Sequence, residues 1–390
     1  MKLRELCTIQ SGGTPSRSKP EFWENGSIPW VKISDFDGKY VSHTEEKITE
    51  CGLLSSSAKV FPKGTLLYTI FATLGEVCIL DIDAATNQAI AGITIKNDNV
   101  DEDYLFYFLT SLKTYVNRIG RGVAQNNINM SILREIEVPL PSIVRQKRIA
   151  DILGKADQLI EKKERQLITL DELVKSRFVE MFGELEANPH KYMVTSLQTL
   201  IDHGMITYHL DGNHGGDYPR SEEFSAKGVP YIGANCIVDG RIDFRIAKHL
   251  PIERANRLRK GIAKDGDVLF AHNATVGPVV VLETQEPKVI LSTSLTAYRC
   301  NTESINPYYL SSYMLSDGFV KQYSAEMKQT TRNQVPITAQ KKYLFMVPPI
   351  ELQEQFAAFV AEVDKSKLAV QQSLEKLETL KKSLMQQYFG

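Results

Sequence analysis

Over most of the chain apolar residues come in short runs, but two stretches follow a different rule. From Ile143 to about Phe182 they step by four and three: Ile149, Leu153, Ala156, Ile160, Leu167, Leu170, Val174 and Met181, interrupted by Lys163 and Arg177. From Ile350 to about Phe389 the corresponding positions hold Phe356, Val360, Val363, Val370, Leu374, Leu377, Leu384 and Tyr388, interrupted by Lys367 and Lys381. Neither stretch contains proline, and their only glycine is Gly154. An apolar seam that returns every seven residues over about five heptads predicts a coiled-coil helix. Each helix would hold about 40 residues and span roughly 60 Å. That is far beyond the usual length of about three to four turns, which favours pairing of the two segments over two ordinary core helices. The interrupting lysines occupy different heptad positions in the two helices and are expected to snorkel past apolar partners. The pattern does not set the direction of pairing, but two similar domains joined by one long helix, with a second returning at the end, favour an antiparallel pair.

The remainder of each half mixes β-rich runs, such as Thr65 to Ile70 and Val276 to Leu282, with short helices and Gly/Asn turns. The two halves repeat one another. Ile28-Pro29-Trp30-Val31 answers Val229-Pro230-Tyr231-Ile232, and Lys63-Gly64-Thr65-Leu66-Leu67-Tyr68 answers Asp265-Gly266-Asp267-Val268-Leu269-Phe270. Gln125-Asn126-Asn127-Ile128-Asn129 answers Arg332-Asn333-Gln334-Val335-Pro336, and Pro141-Ser142-Ile143 with Gln146 answers Pro348-Pro349-Ile350 with Gln353. Met181-Phe182-Gly183 answers Tyr388-Phe389-Gly390. The offset grows from 201 at Ile28/Val229 to 207 at Gly183/Gly390, so length differences fall in the globular parts. The predicted architecture is α+β: two tandem globular domains, 1–142 and 184–349, each followed by a long helix, 143–183 and 350–390. The helices would pair as an antiparallel coiled coil with pseudo-twofold symmetry.

Composition changes this picture little, and charge changes it more. The chain has 390 residues, 43% apolar and 24% charged, which fits two or more globular domains. It has no run of apolar residues long enough to span a bilayer, and Met1 to Leu6 leads into polar sequence without the apolar core of a signal peptide. The cysteines Cys7, Cys51, Cys78, Cys236 and Cys300 are scattered and never spaced CxxC, as expected for reduced thiols in a cytoplasmic protein. The net charge of −1 is unusual for a protein that coats DNA phosphates by itself.

Catalytic motifs are missing. Amino-methylation needs a Gly-rich cofactor turn and an Asn/Asp-Pro-Pro-aromatic loop, but Asn306-Pro307-Tyr308-Tyr309 lacks the second proline and reads as a capped helix start. Asp267 with Glu286-Pro287-Lys288 imitates a nuclease pattern, yet no proline precedes the Asp and Thr65 stands at its repeat position. No GxxxxGK[ST] occurs. His209 and His214 flank a Gly/Asp/Asn loop without ligand spacing and are read as exposed bystanders, so no metal site is expected.

Two globular domains, each entering a long helix through Pro139-Leu140-Pro141-Ser142-Ile143 to Gln146-Lys147-Arg148-Ile149-Ala150 or Val347-Pro348-Pro349-Ile350 to Gln353, resemble the DNA-specificity subunits of Type I restriction–modification systems. Gly64-Thr65-Leu66-Leu67 and Gln125-Asn126-Asn127-Ile128-Asn129 are similar to that family's landmarks, whereas Thr330-Thr331-Arg332-Asn333-Gln334 departs from them. The resemblance covers the whole chain. It implies target-recognition domains that each read one half of a split double-stranded DNA sequence, spaced by the coiled coil. It also implies two methyltransferase subunits as partners, using S-adenosylmethionine, and restriction/translocase subunits using ATP and Mg. No cofactor and no catalysis are implied for this chain itself.

Polar residues on loops beside strands are the natural base readers, since Asn and Gln pair with adenine and Arg and Lys with guanine. The candidates are Thr14, Arg17, Lys32, Ser34, Thr73, Asn87, Gln88, Gln125 and Asn126 in the first half. Those in the second are Asn235, His272, Asn273, Thr275, Ser294, Arg332 and Asn333. Two alternatives are an orphan or antirestriction DNA-binding protein and a coiled-coil scaffold that binds protein instead of DNA.

Overall fold

The computed structural model describes residues 1–120, 128–327 and 333–390. Both heptad stretches are continuous helices, Ile143–Phe182 and Ile350–Phe389, each of 40 residues. The first stops at Gly183, whose φ of 74° is the left-handed conformation a helix end requires and whose N–H donates to the Val179 carbonyl at 2.8 Å. The chain divides into two compact units, residues 1–164 with 372–390 and residues 165–371, so each unit holds part of both long helices.

In the first unit five strands run in the order Cys7–Ser11, Ile90–Ile95, Leu66–Thr69, Val77–Leu80, Tyr40–Val41, antiparallel except for the last pairing. A second sheet orders Glu46–Ile48, Ile28–Val31, Ala84–Thr86 and Val60–Phe61, with Ile28–Val31 parallel to Ala84–Thr86. The second unit repeats both, except that among the described residues its first sheet has no strand in the place of Tyr40–Val41. Ile206–Asp211, Leu295–Cys300, Val268–Asn273 and Thr275–Val281 make one sheet, and Lys248–Leu250, Val229–Ile232, Val289–Leu291 and Ile262–Ala263 the other. The sequence repeat is thus a repeat of strand order. Its turns agree in detail: Gly64 and Gly266 have φ of 85° and 80°, and each donates its N–H at 2.8 Å, to Leu80 and Leu282.

Within each unit the seam residues face inward. Ile149, Leu153, Ala156, Phe356, Val360, Val363, Val370 and Leu374 are buried, and Ile160, Leu167, Leu170, Val174, Leu377 and Leu384 are half-buried. In the first unit Leu384, Met385, Tyr388 and Phe389 pack on the core that contains Leu153, and Ile160 lines a hollow with Glu378 and Met385. In the second, Phe356 meets Phe178 and Phe182 at 5.5 Å, and Lys367 pairs with Asp171 at 2.5 Å. In both units ascending numbers on one helix meet descending numbers on the other. Fully burying one such ring is worth roughly 1.5–3 kcal/mol.

The interrupting lysines do more than snorkel. Lys381 pairs with Asp157, which also accepts the Tyr107 hydroxyl at 2.8 Å, and Lys367 pairs with Asp171. Half-exposed pairs add little stability, but a cation on the seam that finds its carboxylate in one register disfavours slipped registers.

Gly154 sits inside a helix with no conformational need for glycine, and a Cβ there would lie 3.6 Å from the Tyr107 hydroxyl, an ordinary contact. Gly154→Ala should therefore stabilise the protein by about 0.5–1 kcal/mol. A thermal unfolding midpoint that falls instead would show that the packing beside Tyr107 needs the side chain to be absent.

Candidate nucleic-acid interface

In the first unit the sheet Cys7–Ser11/Ile90–Ile95/Leu66–Thr69/Val77–Leu80 gathers three loops at one end. The Gly12 N–H donates to Ile90 O at 3.0 Å, Gly13 to Thr86 O at 2.8 Å, and Ile70 to Ala89 O at 2.8 Å. Ile128, the first described residue after 127, donates to Ile70 O at 3.0 Å. Gly12 has to be glycine, because a Cβ would lie 2.1 Å from Thr86 Oγ1 and 2.4 Å from Asn87 O. Thr14 Oγ1 donates to Gln88 Oε1, and Asn87 Oδ1 accepts from the Ala89 N–H at 2.9 Å. Thr14, Thr73, Asn87 and Gln88 are thereby brought to one loop cluster, with Thr73 and Gln88 exposed.

The second unit builds the same cluster with different side chains. His272 N–H donates to Ser294 O at 3.0 Å, Ala274 N–H to Asn333 O at 3.0 Å, and Val335 N–H to His272 O at 2.8 Å. Ser294 Oγ accepts from the Ala234 N–H at 2.8 Å and lies 2.7 Å from Ser292 Oγ. Asn235, Asn273, Thr275, Ser294 and Asn333 therefore share one end of the sheet. Ala72 and Ala274 occupy the same place on the hairpin tip, with φ of 61° and 66°. A left-handed alanine costs roughly 1–2 kcal/mol. Its presence twice shows that the tip conformation belongs to the architecture, whatever residues flank it.

Two of the candidate cations have local partners. Arg17 lies 3.7 Å above the Trp23 ring and pairs with Glu46 at 2.5 Å, and Lys32 pairs with Glu45 and Glu46 at 2.6 and 2.9 Å. These cations are held by local carboxylates. Ser34 is exposed in the turn after Ile28–Val31. His272 is a correction: its ring is 1% exposed, with Nδ1 3.0 Å from Val335 O, so it supports the tip from within. Gln125, Asn126 and Arg332 lie outside the described residues.

Other side chains were missed or misread from sequence. Ser292 stands where Asn87 stands in the repeat, a signal the alignment of halves carried. Gln340, fully buried, accepts from the Tyr298 hydroxyl at 2.6 Å and bonds His209 Nε2 at 3.1 Å, so His209 is a core residue and not an exposed loop histidine. Asp267 is buried and held by Arg299 at 2.8 and 2.7 Å and by the Lys264 N–H at 2.8 Å. Thr65 and Thr94, 3.1 Å apart, fill the equivalent place in the first unit. The carboxylate that imitates a nuclease residue is half of a structural ion pair. Among the described residues no three His, Cys, Asp or Glu side chains are grouped to hold a metal ion.

The family described as the Type I restriction modification DNA specificity domain matches residues 1–170 and again 209–380. The chain belongs to that family. The MjaIX specificity subunit of Methanocaldococcus jannaschii is 25% identical, over 98% of this chain and 90% of the relative. The EcoR124I/EcoR124II specificity subunit of Escherichia coli is 31% identical over 40% of each. The solved S subunit of a Type I restriction–modification system from M. genitalium has a TM-score of 0.57 at 16% identity, covering 100% of this chain and 95% of that one. A chain from a structure concerning complex assembly and conformational transition of the type I R-M system gives 0.60 at 17%, covering 100% and 96%. At these identities the solved chains establish the fold. Both copies of the specificity domain thus carry the same loop cluster on the same sheet. No helix among the described residues is long and apolar enough to cross a membrane.

Burial pushes the His209 imidazole down to about 4 and lowers that of His272, so folding of the second unit favours the neutral form of both rings. Unfolded histidine titrates near 6.5. For His209, stability is therefore intact above about pH 6.5 and falls as the pH drops toward 4, by up to about 1.4 kcal/mol per pH unit, and His272 adds a loss of the same sign below pH 6.5. Denaturant midpoints at pH 7 and pH 5 should show this loss, and the double variant His209→Gln/His272→Gln should flatten it. Equal midpoints for the unaltered protein would contradict it.

Proposed function

We propose that this chain is the non-catalytic DNA-reading subunit of a Type I restriction–modification complex, with each loop cluster reading a few base pairs of one half of a split target. The observation that carries this reading is the duplication of the cluster. A protein with two equivalent readers on a stiff spacer suits two duplex segments about one helical turn apart. The two long helices pair along their seams as one antiparallel coiled coil with pseudo-twofold symmetry, and that pairing fixes the unread gap between half-sites. The opposed numbering of helix contacts inside each unit supports it, as do the matched 40-residue lengths.

Methyl transfer belongs to two methyltransferase subunits docked on this chain, which bind S-adenosylmethionine. Cleavage and translocation belong to restriction subunits that use ATP and Mg. The family membership supports these partners. So does the charge: at −1 the chain is a poor phosphate clamp alone, and partners that surround the DNA supply the basic surface. Within the clusters Asn87, Gln88, Asn235, Asn273 and Asn333 offer amides suited to adenine, while Thr14, Thr73, Thr275 and Ser294 offer hydroxyls and methyls.

The test is selection from random duplex DNA by purified methyltransferase subunits with and without this chain. Two short specified blocks separated by a constant unspecified gap should be enriched only when the chain is present. Enrichment by the chain alone would favour an orphan DNA-binding protein. No sequence enrichment in any combination would favour a protein-binding scaffold.

A further inference from the structure

We infer that Gln146 and Gln353 are positioning residues that lock each reader to its long helix and so hold the spacer to a single length. This rests on the proposed reading of a split site. Each glutamine lies in the first turn of its helix and is fully buried. Gln146 Oε1 accepts the Asp101 N–H at 3.0 Å, and its Nε2 donates to Asn99 O at 2.9 Å and Pro141 O at 2.8 Å. Gln353 repeats the pattern: Oε1 accepts the Asn306 N–H at 2.9 Å, and Nε2 donates to Ser304 O at 3.3 Å and Pro348 O at 2.8 Å.

All three bonds of each amide go to backbone atoms. The residues that supply them differ between halves, Asn99 against Ser304 and Asp101 against Asn306, yet the joint is the same. A socket built on backbone tolerates sequence change in the reader while keeping its angle. A second bond and a ring contact reinforce it. Tyr104 donates to Pro139 O at 2.7 Å and Tyr309 to Met346 O at 2.8 Å. Their rings meet the closing phenylalanines of the long helices, Phe389 at 5.3 Å and Phe182 at 4.8 Å. Each reader is thus gripped where one helix begins and the other ends.

The lever arm explains why the angle matters. Strand Ile90–Ile95 leads from the loop cluster at Asn87–Ala89 to the joint at Asn99, and Leu295–Cys300 leads from Ser294 to Ser304. Six residues of strand span about 20 Å. A swing of about 10° at the joint would move the loops roughly 3.5 Å, one base-pair rise.

The experiment is long-read methylation sequencing of cells that express the chain, or its Gln146→Leu or Gln353→Leu variant, with its methyltransferase subunit. The variants should keep both half-site sequences but methylate sites whose gap is one base pair shorter or longer as well as the original. If Gln146→Leu does not accumulate, Phe389→Leu trims the ring against Tyr104, spares the amide bonds and should broaden the gap in the same way. A single unchanged gap with only a lower level of methylation would overturn the inference, because loss of stability alone does not alter spacing. Absence of any split motif with the unaltered chain would instead sink the split-site reading on which the inference stands.

Discussion

A helix of 40 residues with apolar side chains along one seam has to cover that seam over its whole length. Neither long helix does so against a single globular body. In the first unit the opening of one helix lies with the close of the other on the core around Leu153. In the second the close of the first lies with the opening of the second around Phe356. Each globular part therefore depends for its core on a segment from the far end of the repeat: Tyr104 needs Phe389, and Tyr309 needs Phe182. Burying these seams orders the helices, and the ordered helices hold the buried glutamines where they bond the backbone of the globular parts.

The repeated architecture could be read in advance because it is written in local pattern. Heptads, proline-marked helix starts and the turn glycines Gly64 and Gly266 act through nearby backbone geometry, and a second copy of the same text checked each one. Partner choices across long separations were not legible. Lys381 and Lys367 looked like cations seeking solvent until their carboxylates, Asp157 and Asp171, were placed opposite them by the fold. Asp267 only imitated a nuclease acid, and its neutraliser could not be read because Arg299 is distant in sequence and the pair stands where the other half has two threonines. Nothing local to Arg17 announces that Trp23 and Glu46 will hold it.

The loop clusters show the same division. Sequence alone put Asn87, Gln88, Asn273 and Ser294 on loops, which is where functional variation is tolerated. It could not distinguish a loop residue that points outward from one that supports the loop, and so included His272, whose ring fills the core beneath the tip. The distinction rests on packing from the segment at Val335, far along the chain. What the two clusters share is backbone: glycine at the close approach of Gly12, left-handed alanine at the tip, and main-chain bonds that tie the loops together. What differs is the side chains carried, as the proposed reading of two different half-sites requires.

The central claim is that the two readers act separately. Its most direct measurement is methylation sequencing of cells that carry this chain and its methyltransferase, compared with the variant Asn87→Ala/Gln88→Ala. The account predicts relaxed sequence preference in one half-site, with the other half-site and the gap unchanged. A variant that altered both half-sites together, or neither, would contradict it.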